Sequence, residues 1–219
     1  MTRILSKNSK KTASRGIVTL LTVMFLIFNG VVLKAQNIDY HLGVRGGVGM
    51  STLSGYENNG LKIGLTGGIY GKMRLSEHNS IIIDINYSEG GQLSEKWYEA
   101  SRTEKIKIYS KYSLHYLNTP ILYQYYFTDI LGLEAGANFC YCIAGNLKTK
   151  VGNENWEHQE LKYNAFDCGL IFGVYTDNLI PHEDVFVNLR AYFGFLDVVK
   201  DVGANKNVSV QITVGYMFL

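Results

Sequence analysis

The sequence is poor in the residues that mark disordered, metal-binding or nucleic-acid-binding chains. It holds 2 Pro and 3 Cys in 219 residues, and Asp, Glu, Lys and Arg make up only 18%. Scarce proline argues against a disordered or linker-rich chain. No His stands at a zinc-ligand spacing from the cysteines, so no metal or cofactor is expected. Cys140, Cys142 and Cys168 are interpreted as small apolar core residues, with a disulfide as the alternative.

The first 35 residues differ from the rest of the chain. Five basic residues precede an apolar stretch from Gly16 to Leu33, and Ala35 offers a small residue for cleavage. This layout predicts a signal peptide over residues 1–35 and a barrel domain over residues 36–219. An uncleaved membrane helix is the alternative.

Removing that segment also changes the charge of the chain. Six of the 21 basic residues and none of the 19 acidic residues lie in it, so the remainder has 15 basic and 19 acidic residues and a net charge of −4. Nothing in this balance indicates a nucleic-acid partner.

Beyond residue 36 the dominant pattern is an alternation of apolar and polar residues, without a convincing amphipathic helix. A period of two is typical of strands with two different faces. Most of the segments reach the ~9–11 residues that a tilted membrane strand needs. The eight predicted strands are 40–50, 61–73, 80–88, 112–127, 131–144, 163–175, 184–195 and 207–219.

The connections between these segments alternate in length. Those after the second, fourth and sixth strands are short, and the others are long, near residues 51–60, 89–111, 145–162 and 196–206. This layout predicts an all-β fold, an eight-stranded antiparallel up-and-down transmembrane β-barrel with long loops outside and short turns in the periplasm.

Glycines indicate which face of the barrel points inward. One face of each predicted strand is apolar, and the other carries charge and glycine. A missing side chain relieves crowding on the concave side of a curled sheet, so the polar face is predicted to line the lumen and the apolar face to meet lipid. A soluble periplasmic barrel that binds a small ligand is the alternative. The glycine pairs are Gly43/Gly47, Gly64/Gly68, Gly132/Gly136 and Gly169/Gly173.

Several motifs follow one another in a familiar order. With segments such as LGLEAGANFCYCIAG and VNLRAYFGF, they make the chain resemble the PorT-like outer-membrane β-barrel family. The resemblance implies an eight-stranded barrel in the cell outer membrane. The family's namesake is an accessory to protein secretion, so the resemblance also implies such a role for this chain. The motifs are Asp84-x-x-Tyr87-Ser88, Tyr116-Leu117-x-x-Pro120 and Gly215-Tyr216-x-Phe218.

Charged residues on the polar face are predicted to meet in the lumen. An eight-stranded barrel is just wide enough for side chains to fill, and buried charges are tolerated only when they are paired. Four cations and three carboxylates therefore predict a structural salt-bridge network, with a narrow ion path as the alternative. They are Arg45, Lys62, Lys72, Asp84, Glu134, Asp167 and Arg190.

The predicted long loops contain both tryptophans. Trp97 and Tyr98 fall in residues 89–111 and Trp156 in residues 145–162, so all three are candidate contacts for an envelope or secretion protein. Tryptophans that lie at the membrane interface or cap the barrel are the alternatives. Ser113 and His115 are the best candidates for a catalytic pair, but they form no recognised motif. The chain is therefore predicted to be non-enzymatic, with a small barrel enzyme acting on envelope lipid or protein as the alternative.

The final segment, VSVQITVGYMFL, alternates to its end. It is predicted to pair with the first strand and close the barrel. Gly215, Tyr216 and Phe218 resemble the C-terminal signal that the outer-membrane assembly machinery reads, displaced by one residue because Leu219 follows. The expected partners are outer-membrane lipid, the assembly machinery and an envelope or secretion protein.

Overall fold

The structure, a computed structural model, describes residues 39–55, 59–99, 105–152, 154–177, 184–200 and 205–218. The predicted signal peptide, residues 1–35, and the terminal Leu219 lie outside the described residues. Within these ranges no helix is both long and apolar enough to cross a membrane.

Ten β-strands account for most of the described residues. Two are short, β2 (Asn59–Gly60) and β7 (Glu157–Glu160), and they pair with β4 and β6 respectively. The eight long strands are β1 (Asp39–Leu53), β3 (Lys62–Arg74), β4 (Asn79–Glu99), β5 (Lys105–Tyr126), β6 (Leu131–Val151), β8 (Phe166–Thr176), β9 (Val185–Asp197) and β10 (Lys206–Met217).

The eight long strands form a closed antiparallel ring. Each pairs with the long strands before and after it in the sequence, and β10 pairs with β1, placing Val44 opposite Tyr216 and Val48 opposite Ile212. Closure leaves none of the eight as a free edge within the barrel. The predicted eight-stranded up-and-down barrel, and the pairing of the last strand with the first, are confirmed.

The two faces of the sheet have the orientation that was predicted from the positions of the glycines. Apolar side chains point outward, with Ile63 71% and Val214 54% exposed, whereas their polar neighbours Lys62 and Thr213 are buried. The alternative of a soluble barrel, which needs an apolar interior and a polar surface, is therefore wrong.

Close strand approach explains the glycines of the polar face. A Cβ added at Gly47 would collide with the backbone carbonyl of Ile212, and one added at Gly68 with that of Ile85. Inward-facing positions are crowded because the sheet is tightly curled, and glycine is the residue that fits there.

Three strands extend much further than predicted. β4 and β6 have 21 residues each and β5 has 22, against 11 to 15 in the other long strands. The predicted loop at residues 89–111 is wrong, because Leu93 pairs with Lys111 and Trp97 with Lys107 in a regular ladder. We call residues 93–99 of β4, 105–111 of β5 and 146–151 of β6 the hairpin extension. The outward face of the extension carries charged residues such as Glu95 and Lys107, and apolar residues such as Ile106 and Ile108 lie on its inward face. The apolar outward face that reveals a membrane strand is therefore lost there.

The end of the barrel that carries the long connections is filled with apolar side chains. Leu161, Val198 and Val199, which lie in connections between strands, are buried in the same cluster as Leu53 and Leu114 of the barrel wall. The backbone amides of Val198 and Val199 donate to the Asn205 side-chain oxygen at 2.9 and 2.6 Å, which holds this connection in place.

Candidate functional site

The centre of the lumen holds a compact cluster of four charged residues from four strands. Arg190 donates to both carboxylate oxygens of Glu134 and, through Nη1, to Asp84 Oδ2 at 2.6 Å. Arg45 Nη2 approaches the same Asp84 oxygen at 3.0 Å. Two cations thus face two carboxylates, and all four residues are buried. Such reciprocal pairing is the condition under which charges are tolerated away from water.

A second charged cluster lies at the end of the barrel that carries the short turns. Lys72 Nζ contacts Asp177 Oδ2 at 2.7 Å and donates to the hydroxyls of Tyr126 and Tyr175 at 2.5 and 2.8 Å. The Tyr126 hydroxyl in turn donates to Asp177 at 2.6 Å. The carboxylate that pairs with Lys72 was missed by the sequence analysis. Asp177 was treated as part of a turn, although it lies two residues after Tyr175 and so shares its inward-facing parity.

Two of the seven predicted lumen residues lie apart from these clusters. Asp167 accepts a hydrogen bond from the Tyr192 hydroxyl at 2.8 Å and one from the Leu196 amide at 3.2 Å. Lys62 donates to the Gly90 carbonyl at 2.8 Å. Within the described residues the structure shows neither of them in an ion pair. The single network predicted from the sequence is therefore replaced by two separate charged clusters and two hydrogen-bonded charges.

The lumen has little free space. A cavity of about 20 Å³ lies between Arg45, Arg190, Tyr192 and several amide side chains. That volume is enough for about one water molecule, since a water needs roughly 10–15 Å³ by the same measure. The arrangement is that of a filled interior and not of an aqueous channel.

The hairpin extension presents aromatic side chains on both faces. Trp97 is 64% and Tyr98 65% exposed, and they point to opposite sides of β4. Both were predicted to lie in a loop, but the structure places them in a paired strand. Trp156, 46% exposed, lies in the connection before β7 as predicted.

Each face of the extension has its own chemistry. On the outward face Lys107 Nζ lies 2.6 Å from a Glu95 oxygen and 5.5 Å from the centre of the Trp97 ring. The hydrogen bond to Glu95, with a second to Tyr109, raises the pKa of Lys107. On the opposite face a groove of about 220 Å³ is lined by residues that include Tyr98, Tyr112 and Ile108.

The candidate catalytic pair is not assembled. His115 Nδ1 lies 2.6 Å from the Tyr87 hydroxyl, which also donates to Glu89 at 3.2 Å. Within the described residues, no hydrogen bond joins His115 to Ser113, the other member of the candidate pair. Among the described residues, no group of three His, Cys, Asp or Glu could hold a metal ion.

The C-terminal motif has one inward and two outward residues. A Cβ added at Gly215 would collide with the Phe186 ring, so this glycine has a packing role within the barrel. Tyr216 and Phe218 are exposed on the outer face. The three cysteines are free, and Cys140 and Cys142 are buried as expected of apolar core residues.

Comparison with known proteins gives one family match. The model of a family described as "Outer membrane protein beta-barrel domain" matches residues 34–200. No curated protein matches the chain in a sequence comparison.

Among solved structures, similar folds come from bacterial outer membranes. Neisserial surface protein A is 12% identical with a TM-score of 0.47, covering 84% of this chain and 100% of that protein. The outer membrane protein OprG from Pseudomonas aeruginosa is 14% identical with a TM-score of 0.43, covering 81% and 95%. The attachment invasion locus protein Ail of Yersinia pestis is 14% identical with a TM-score of 0.40, covering 82% and 99%. Similarity at this level carries no conclusion about function.

Proposed function

Because the chain belongs to the outer membrane protein beta-barrel domain family, we propose that it is a non-enzymatic outer-membrane barrel with a permanently filled lumen that binds an envelope protein through its hairpin extension. Its localisation in the outer membrane follows from the family. The observation that supports the proposed role is the contrast between a closed interior and three strands that continue well beyond the barrel.

The filled lumen has a structural role in this proposal. Arg190 joins β9 to β4 and β6 through Asp84 and Glu134, and Lys72 joins β3 to Asp177 beyond the end of β8. The contacts of Arg190 with Asp84 and of Lys72 with Asp177 cross the lumen between strands four positions apart in the ring, and Arg190–Glu134 spans β8, so these contacts brace the barrel wall. The cavity beside the central charged cluster holds only about 20 Å³, and we propose that no continuous path for solutes crosses this part of the lumen.

The hairpin extension supplies the binding surface. Trp97 and Tyr98 are large, exposed aromatics on a regular two-stranded ladder, which keeps their positions fixed at low entropic cost. Aromatic residues of this kind dominate the energetics of protein interfaces. Pairing with β2 ends at Ser94, opposite Asn59. Within the described residues, residues 95–99 of β4 therefore have an edge to which a strand of another protein could be added.

Within the family, we place the chain in the PorT-like group on the order of its sequence motifs, with an accessory role in protein secretion or envelope assembly. The apolar outer face is proposed to contact outer-membrane lipid. Tyr216 and Phe218 are proposed to be read by the assembly machinery during insertion, since both are exposed near the end of the last strand.

Site-specific photo-crosslinking in the native envelope tests the docking role. A photoreactive residue at position 97 or 98 is expected to capture one discrete protein partner, because both side chains are exposed on the extension. The matched control is position 77 in the short turn between β3 and β4, also exposed but at the other end of the barrel. Capture of no protein at 97 and 98, or of the same protein at 77, would contradict the proposal.

A further inference from the structure

Lysines are concentrated on the outward face of the hairpin extension. Lys107 and Lys111 lie on β5, and Lys148 and Lys150 lie on β6. Direct cross-strand pairs share a face, and Lys111 pairs with Lys148 while Tyr109 pairs with Lys150. Lys107 lies on the same face, as its contacts with Glu95 and Trp97 show. We call these four lysines the lysine face.

A β-bulge is what brings the two strands' lysines together. In the lower part of β6 odd-numbered residues such as Leu133 and Phe139 point outward. The register of β5 and β6 shifts between His115 and Tyr116, so one extra residue of β6, Ile143, is inserted. Above the bulge the even-numbered residues Lys148 and Lys150 therefore face outward beside Lys111.

The charges on this face are not balanced within the described residues. Lys148 pairs with Lys111 on one side and with His158 of β7 on the other, so three basic residues lie in one row across three strands. Like charges directly opposite each other destabilise a sheet. Glu95 pairs with Lys107, and Glu160 lies one row away, opposite Asn146. An anion from outside the chain would relieve the repulsion within the row of Lys111, Lys148 and His158.

The position of the lysine face indicates what that counterpart is. The same outward face carries Ile121, Tyr123 and Phe139 lower on β5 and β6, and becomes polar at the Tyr87–His115 pair. Lys111 lies four residues above His115, about 13 Å along the strand and roughly 9 Å in height for a strand tilted by about 45°. The headgroup layer on each side of the hydrocarbon core is about 5–8 Å thick, so the lysines begin at or just beyond it.

We propose that the lysine face binds the phosphate groups of anionic lipids in the leaflet adjoining the long connections. The apolar outer face below it contacts the acyl chains of the same lipids, so one lipid meets both surfaces along β5 and β6. The proposal rests on the outer-membrane localisation and not on the proposed docking of a protein partner.

Reconstitution into nanodiscs tests the lysine face. The refolded protein is placed in phosphatidylcholine discs containing about one-tenth phosphatidic acid, whose headgroup is a simple phosphomonoester. Native mass spectrometry then measures which lipids remain bound. The wild-type chain is expected to retain phosphatidic acid in preference to phosphatidylcholine. The variant Lys111→Gln/Lys148→Gln/Lys150→Gln is expected to lose about tenfold of that preference.

A lysine on the opposite face is the matched control. Lys96 pairs with Ile108 and points into the groove of about 220 Å³, so Lys96→Gln removes a charge from the same hairpin without touching the lysine face. It is expected to leave lipid retention unchanged. Each variant is first shown to be folded by its heat-modifiable mobility on gels.

Three outcomes would overturn the proposal. The first is equal retention of both lipids by the wild-type chain. The second is an equal loss of the preference for phosphatidic acid in Lys96→Gln and in the triple variant, which would indicate only general charge attraction. The third is release of phosphatidic acid by millimolar inorganic phosphate, which would indicate a site for soluble anions. A missing protein crosslink at Trp97 would leave this result unaffected, so failure of the proposed docking function is distinguishable.

Discussion

Arg190 pairs with two buried carboxylates at once, so its loss leaves Glu134 without a cation and Asp84 with Arg45 as its remaining cation. Arg190→Ala is expected to destabilise the barrel by about 3–5 kcal/mol, the usual cost of breaking a buried ion pair from one side. A urea titration of the protein in detergent, followed by the gel mobility of the folded form, measures the change.

The exposed Lys107–Glu95 pair is the matched control for Arg190. Lys107→Ala removes a cation from an ion pair of similar length, but the pair lies on the surface of the hairpin extension. Its unfolding midpoint in urea is expected to equal that of the wild-type chain, because surface pairs contribute little. A wild-type midpoint for Arg190→Ala would show that the central cluster does not brace the barrel.

Neighbouring glycines of β1 differ in how much space surrounds them. A Cβ added at Gly47 would collide with the Ile212 backbone, whereas one added at Gly46 would meet only the Thr66 carbonyl at 3.9 Å. Gly47→Ala is therefore expected to cost about 1–3 kcal/mol of stability, as overpacking does, and Gly46→Ala to cost much less. Equal urea midpoints for the two variants would contradict this assignment of crowding to the inner face.

Single residues also show how far the lumen can be predicted from sequence. Alternation identified Arg45, Asp84, Glu134 and Arg190 as inward-facing, because parity within a strand is fixed once the register of apolar residues is known. Alternation alone could not say which cation meets which carboxylate, since that depends on the stagger of strands around the ring. Asp177 was overlooked because it lies just past the end of β8, where no pattern continues.

At the scale of elements, the hairpin extension is expected to be separable from the barrel. Leu93 pairs directly with Lys111, so replacing residues 94–110 by a two-residue Asn-Gly turn preserves the pairing below it. The truncated protein should keep the urea midpoint of the wild-type barrel. Residues 95–99 and 105–109 pair with each other, and among the described residues the removed segment otherwise pairs only with the ends of β2 and β6, at Asn59 and at residues 149–151. A large fall in the midpoint would show that the extension is part of the barrel's cooperative unit.

The same elements explain where strand prediction succeeded and failed. Strand β9 was predicted within two residues at either end, since its outer face meets an apolar environment along its whole length. The upper parts of β4, β5 and β6 were predicted as loops because no such constraint acts on them and their outward faces carry charged residues. The bulge at Ile143 has no local sequence signal, so the outward position of Lys148 could not be derived from alternation.

For the whole molecule, the filled lumen predicts that the barrel does not conduct ions. The cavity of about 20 Å³ beside the buried Arg45 and Arg190 is large enough for about one water molecule and too small for a water-filled path at that level of the barrel. The purified protein in a planar lipid bilayer is expected to show no steady conductance above that of the bilayer alone. Stable open-channel currents would favour the narrow ion path over the structural network.

The orientation of the barrel follows from its closed, even-stranded topology and has its own test. β1 begins and β10 ends beside the short turns, since Asp39 pairs with Arg74 and Gly43 with Met217. In outer-membrane barrels short turns lie in the periplasm and long connections outside. Glu154, exposed in the connection before β7, and Glu77, exposed in the turn before β4, should therefore lie on opposite sides of the membrane.

Thiol labelling of intact cells distinguishes the two sides. Glu154→Cys is expected to react with a membrane-impermeant maleimide in intact cells, and Glu77→Cys only after lysis. The wild-type chain, labelled in the same way, measures the background reaction of its own cysteines. Two of them, Cys140 and Cys142, are buried. The reverse labelling pattern would place the hairpin extension in the periplasm. Any protein partner would then have to be sought there, and the lysine face would adjoin the inner leaflet of the outer membrane.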